Sequence, residues 1–101
     1  MQTSQRYYLD FTSDLYRSIH CYIQGNINSA NMFIDHAQKI LSTSLDEQLW
    51  DEFFPEQIRK EWIIIQKRKF GNAHFENDRS ADKILTIASV IFYRTCHHAL
   101  T

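Results

Sequence analysis

Two glycines and one proline in 101 residues leave this chain very few places to turn. Strands of ordinary length need frequent turn residues, so this scarcity of breakers favours long helices joined by brief connections. The expected fold is all-α, an antiparallel up-and-down four-helix bundle, with residues 1–101 forming one helical-bundle domain, since this length supports one core and not two. Apolar residues at 44% and aromatics at 14% supply bulky side chains to fill that core.

Helical periodicity places the elements. Tyr8, Phe11, Leu15, Ile19 and Tyr22 recur at spacings of three and four, which predicts a helix over 4–23 with one apolar stripe. Gly25 and Asn26 suit a left-handed stop, and Asn28 suits the cap of a second helix with the stripe Ala30, Phe33, Ala37, Ile40 and Leu41. A short turn between them makes the two helices antiparallel neighbours. Ser44, Leu45, Asp46 and Glu47 read as a capping box opening a third segment, with Leu45, Leu49 and Phe53 on one face. Pro55 disfavours helix at Phe54, so the third helix is expected to break or kink there and restart with Pro55 in its first turn. Ile58, Trp62, Ile65 and Lys69 continue the stripe. The polar stretch 71–80 reads as a ten-residue loop, and a final helix is expected over 81–99 with Asp78 or Ser80 as its cap. Ile84, Leu85, Ile87, Ala88, Val90, Ile91, Phe92 and Tyr93 surround almost the whole of that helix. The pattern predicts burial on all sides, by a central position or by a second copy of the chain, and the preferred reading is a homodimer.

The formal charge of −1 lacks the strongly basic background of a general nucleic-acid binder. Cys21 and Cys96 lie far apart with no CxxC, the usual pattern of reduced intracellular thiols. The start of the chain has no secretory pattern, and its apolar runs, Trp62–Ile65 and Val90–Tyr93, fall far short of the roughly 20 residues that span a bilayer. The expected setting is cytoplasmic, with no membrane partner.

Histidine and cysteine near two helix ends invite a metal reading, His20 and Cys21 on the first helix and Cys96, His97 and His98 on the last. Consecutive helical residues point about 100° apart, and the ends of the first and fourth helices lie at opposite poles of an up-and-down bundle, so the two clusters do not meet within one chain. No metal, cofactor or catalytic residue is assigned. There is also no GxSxG, P-loop or dinucleotide fingerprint. Asp10 and Asp14 share a helix face and read as solvated acids.

His36-Ala-Gln-Lys39 resembles, in two residues, the His-x-x-Lys-Gly of histidine phosphotransfer domains, which are also helix bundles. Ile40 stands where that family has the glycine that gives a partner close access, so His36 is read as an ordinary solvated helix residue. Arg94 with His97 and His98 resembles the Arg and His pair of HEPN-class ribonucleases, which are small four-helix domains. That family separates the pair by some four to six residues, whereas two or three intervene here; Arg94 and His98 do share a helical face suited to phosphate.

The third segment carries Asp46, Glu47, Asp51, Glu52 and Glu56 early and Arg59, Lys60, Lys67, Arg68 and Lys69 late, an order that suits the helix dipole without any ligand. Lys67, Arg68, Lys69 and Phe70, with His74 and Arg79, also form a candidate basic and partly aromatic patch for nucleic acid or an acidic protein, extended to Arg94 and His98. Trp50, Phe53, Phe54 and Trp62-Ile63-Ile64-Ile65 hold more bulk than one helical face can hide. The core takes Leu49, Phe53, Trp62 and Ile65 first, and Trp50, Phe54, Trp62, Ile63 and Ile64 are the candidate interface residues, unless a loop residue such as Phe75 covers them. The expected function is a protein-interaction or regulatory module that self-associates or binds another protein. The alternative is a HEPN-like nucleic-acid-binding protein or ribonuclease using Arg94, His98 and the Lys67–Lys69 patch.

Overall fold

The structure is a computed structural model that describes residues 3–43 and 54–100, with side chains over 6–42 and 54–97. Four helices lie within those residues: α1 (Thr3–Ile23), α2 (Ile27–Thr43), α3 (Glu56–Arg68) and α4 (His74–Leu100). They form an antiparallel up-and-down four-helix bundle. The proposed capping box at Ser44–Glu47, with Leu45, Leu49, Trp50 and Phe53, lies outside the described residues.

The α1–α2 turn shows why the chain reverses where it does. Gly25 adopts φ 83°, its N–H donates to the Tyr22 carbonyl (2.9 Å), and the Asn26 N–H donates to the Cys21 carbonyl (2.8 Å). This crossed pair is a Schellman stop, which needs a left-handed residue at the position that Gly25 fills. Asn26 then serves the next helix, accepting from the Ser29 N–H at 3.1 Å. Asn26, not Asn28, is therefore the cap of α2, so two residues end one helix and begin the next.

Hydrogen bonds fix the remaining register. Trp62 Nε1 donates to Gln38 (2.8 Å), Lys69 pairs with Asp35 (2.6 Å), and Asn31 holds Phe70, so α3 runs antiparallel to α2. The Tyr22 hydroxyl bonds to Asp78, while Tyr16 meets Phe92 edge-on, so α4 runs back along α1. The core draws on all four helices: Tyr8, Phe11 and Leu15; Ala30, Ile34, Ala37 and Leu41; Ile58, Trp62 and Ile65; Ile84, Ile87, Ala88 and Ile91. Phe11 packs edge-on against Phe54 and Trp62, with ring centroids 5.8 and 4.9 Å apart. The buried hydroxyls of Thr12, Ser18 and Thr95 are kept paired, as desolvation requires. Thr12 and Thr95 donate to carbonyls one turn back in their own helices, and Ser18 donates across to the Ala30 carbonyl at 2.8 Å.

Further expectations change. The ten-residue loop contracts, because α4 begins at His74 and not at Ala81. Asn77, 3% exposed, explains the early start: its side chain accepts from the Gly71 N–H and donates to the Gly71 carbonyl, both at 2.8 Å, and so holds the turn from inside the helix. Asp78 and Ser80 are consequently helix residues rather than caps. Pro55 sits just before α3 as its N-terminal cap residue, its carbonyl accepting from the Arg59 N–H, and not within the first helical turn.

Another change concerns α4 itself. Its buried stripe runs Asn77, Ser80, Ile84, Ile87, Ala88, Ile91 and Thr95, one face only. Leu85, Phe92 and Tyr93 remain 45%, 45% and 67% exposed, so this side of α4 is left open by the described residues. The helix has 27 residues, and the molecule's long axis is 41 Å. At a rise of about 1.5 Å per residue, α4 is roughly 40 Å long and so spans that axis from end to end.

Candidate functional site

Three places on this bundle carry more than packing. The first is the seam between α1 and α2. Asp14 is 1% exposed, not solvated as its spacing from Asp10 suggests. It follows Tyr8 and Phe11 around the helix onto the flank facing α2, where its carboxylate meets His36 Nδ1 at 2.5 Å and Arg17 Nη1 at 3.2 Å. A carboxylate only accepts, so the Nδ1 of His36 carries the donated proton and the Nε2 edge points away from Asp14. His36 remains largely exposed, as expected, but it is not an idle surface residue: with Arg17 it compensates the charge of a buried acid. Beside this seam a shallow apolar hollow of about 400 Å³ is lined by Tyr16, Arg17, His20, Cys21 and Phe33.

The second place is the apolar edge that α4 shares with α1. The rings of Tyr16 and Phe92 meet at 6.5 Å and 82° while both stay at least 39% exposed. Leu85 lies two turns before Phe92 on the same edge, and the small, exposed Ser89 separates them. Aromatic pairs normally bury both rings, so a pair left this open is an apolar surface that the other described residues do not cover. The interface residues expected from the sequence distribute differently. Phe54 and Trp62 are buried, at 0% and 2%, because Phe11 draws both into the core. Ile63 and Ile64 are each 45% exposed, and Phe75, at 72%, covers neither. Trp50 lies outside the described residues. The sequence pattern places Leu85, Phe92 and Tyr93 on a covered helix and does not single out Tyr16, whose position one residue past Leu15 of the α1 stripe is the available signal.

The third is a groove of about 480 Å³ between α3 and the first turns of α4. Arg68 comes from α3, Arg79 and Lys83 from α4, with Ile64, Ile65 and Ser80 also lining the groove and Glu76 and Asp82 contributing acids. The expected basic patch is thus divided. Arg68 joins Arg79 and Lys83. Lys69 turns away to pair with Asp35, and Phe70 is buried, stacked on Tyr22 at 4.5 Å and 5°. Arg94 is eleven residues beyond Lys83 along one helix, a separation of about 16 Å at the helical rise. The side chain of His98 lies outside the described residues. The Tyr22 hydroxyl, hydrogen-bonded to the Asp78 carboxylate, titrates above its ordinary value of 10.0, first through that bond and then through partial burial and the Asp78 charge.

Among the described residues no three His, Cys, Asp or Glu side chains gather as a metal site would require, and no helix is long and apolar enough to cross a membrane. Cys21 and Cys96 are both free thiols. No protein-family model, curated protein or solved structure matches this chain.

Proposed function

We propose that this protein is a small interaction module whose α1–α4 edge binds a second copy of the same chain. The observation that carries the reading is the open Tyr16–Phe92 pair, with Leu85 in line along α4. A two-fold axis passing beside Ser89, between positions 88 and 89, would set two α4 helices antiparallel and place Leu85 of one copy against Phe92 of the other, twice, as a self-complementary contact requires. The small side chain at 89 permits close approach, and a net charge of −1 opposes association very little. The free thiols of Cys21 and Cys96 suit a reducing, cytoplasmic setting for this module.

Light scattering on the purified protein across a concentration series tests the reading. A mass of two chains is expected for the wild type, insensitive to salt because the contact is apolar, and of one chain for Phe92→Glu with an unchanged helical spectrum. A wild-type monomer at every concentration, or a dimer that Phe92→Glu leaves intact, overturns it.

A further inference from the structure

On the opposite edge of α4 from the apolar strip, we infer that the α3–α4 groove binds a nucleotide, a phosphate next to a planar base, either free or within a single strand. Arg68, Arg79 and Lys83 reach this groove from two helices, and among the described residues none of the three is in an ion pair. Arg79 and Lys83 are four residues apart on one helix face, an arrangement of like charges that destabilises a helix. Arg68 faces them from α3 and adds to the repulsion. Glu76 and Asp82, each three residues from Arg79, offset part of this repulsion, and an anion between the cations relieves the rest.

Beside the groove, against Arg79, lies the second half of a nucleotide site, an aromatic ring that does not itself line it. Phe75 is 72% exposed at the start of α4, and the Arg79 guanidinium lies 5.3 Å from its ring centroid. Arg79 covers one face of the ring, so the other is open for a base to stack, and stacking on an aromatic side chain is sequence-tolerant. Ile64 and Ile65 give the groove an apolar lining, while Glu76 and Asp82 hold the summed charge of the five ionised lining groups at +1. That modest excess limits the site to a short segment. With three cations meeting three phosphates of a single strand, the logarithm of affinity falls with the logarithm of salt with a slope of about −2.

Fluorescence anisotropy with a labelled eight-nucleotide oligothymidine, over about 50 to 200 mM sodium chloride, provides the test. Affinity is expected to fall roughly 20-fold across that range. Arg68→Ala combined with Lys83→Ala is expected to abolish binding, and Phe75→Ala to weaken it roughly tenfold. Lys60→Ala, at a position paired with Glu56, is expected to leave it unchanged. Competition by adenosine monophosphate assigns the site to a free nucleotide; competition only by unlabelled oligonucleotide assigns it to a strand, and either outcome supports the inference. Binding of neither the oligonucleotide nor the mononucleotide, displacement by pyrophosphate with no effect of Phe75→Ala, or equal losses in Lys60→Ala and the groove variants would each overturn it. Circular dichroism on every variant separates loss of binding from loss of fold. The result is independent of self-association, because Phe92→Glu leaves this groove intact.

Discussion

Replacing Asn31 by alanine should be among the most damaging single changes outside the apolar core. The Asn31 amide donates to the Phe70 carbonyl at 2.9 Å and accepts from the Phe70 N–H at 2.8 Å, so one side chain from α2 satisfies both backbone groups of a residue that is 4% exposed. Each hydrogen bond contributes about 0.5–1.5 kcal/mol net, and a buried backbone group left unpaired costs about 1–3 kcal/mol. Asn31 is partly exposed, so water compensates in part, and the expected loss for Asn31→Ala is about 2–3 kcal/mol. For a domain of this size that lowers the melting temperature by roughly 10–20 °C. Urea unfolding followed by helical circular dichroism measures it, as a lower midpoint at unchanged slope. Asn77→Ala removes the matching clamp on Gly71 and should cost a similar amount. Ser42→Ala, which loses one exposed bond to the Lys39 carbonyl, should stay within about 0.5 kcal/mol. Because the clamps hold adjacent residues, the double variant should lose measurably less than the two single losses added together. If Asn31→Ala is no worse than Ser42→Ala, the account of the α3–α4 connection is wrong.

Backbone strain yields a prediction of the opposite sign. Lys69 adopts φ 52° and ψ −158°, a region that only glycine occupies freely. Holding a side chain there costs about 1–3 kcal/mol, while the partly exposed bridge from Lys69 to Asp35 contributes at most about 1 kcal/mol. Lys69→Gly should therefore stabilise the protein by about 1 kcal/mol in the same urea assay. Gly25 has φ 83°, and an added Cβ there would meet nothing within 4 Å. Gly25→Ala should accordingly destabilise the protein by about 1 kcal/mol through its backbone conformation alone. A third prediction concerns alkaline pH. The Tyr22 hydroxyl titrates above its ordinary value, so its bond to Asp78 contributes stability that is fully present below about pH 10 and is lost as pH rises through the raised value. Tyr22→Phe, which keeps the Phe70 stacking, should lose this alkaline dependence, and in a tyrosinate absorbance titration the wild type should show a late-ionising component that the variant lacks. A titration in which Tyr22→Phe removes an ordinary, early-ionising component instead would contradict it.

The scarcity of breakers and the three-and-four spacing made the bundle legible, because both are local properties of the sequence. Tyr8, Phe11, Leu15, Ile58, Trp62 and Ile65 face inward as their periodicity requires. What could not be read depends on a partner far away in sequence or on where a helix starts. A polar run from Gly71 to Ser80 looks like loop by composition, yet Asn77 turns most of it into helix by bonding back to Gly71. Asp14 looks like a surface acid until α2 brings His36 against it. The apolar excess on α4 was visible, but its meaning was not: periodicity cannot distinguish a helix enclosed by its own chain from one that leaves an edge open. The basic patch was only partly legible for the same reason. Lys67, Arg68 and Lys69 are neighbours in sequence, but helical phase and the end of α3 send Lys69 to Asp35 and Arg68 to the groove with Arg79 and Lys83.

The central claim, that the Tyr16–Leu85–Phe92 edge is a self-association surface, is tested most directly by recording backbone amide spectra of the protein over a dilution series. The account predicts concentration-dependent shifts grouped on residues around Tyr16 in α1 and from Leu85 to Tyr93 in α4, with Ile63 and Ile64 unaffected. Spectra that do not change with concentration, or shifts grouped instead on Ile63, Ile64 and Arg68, would contradict it.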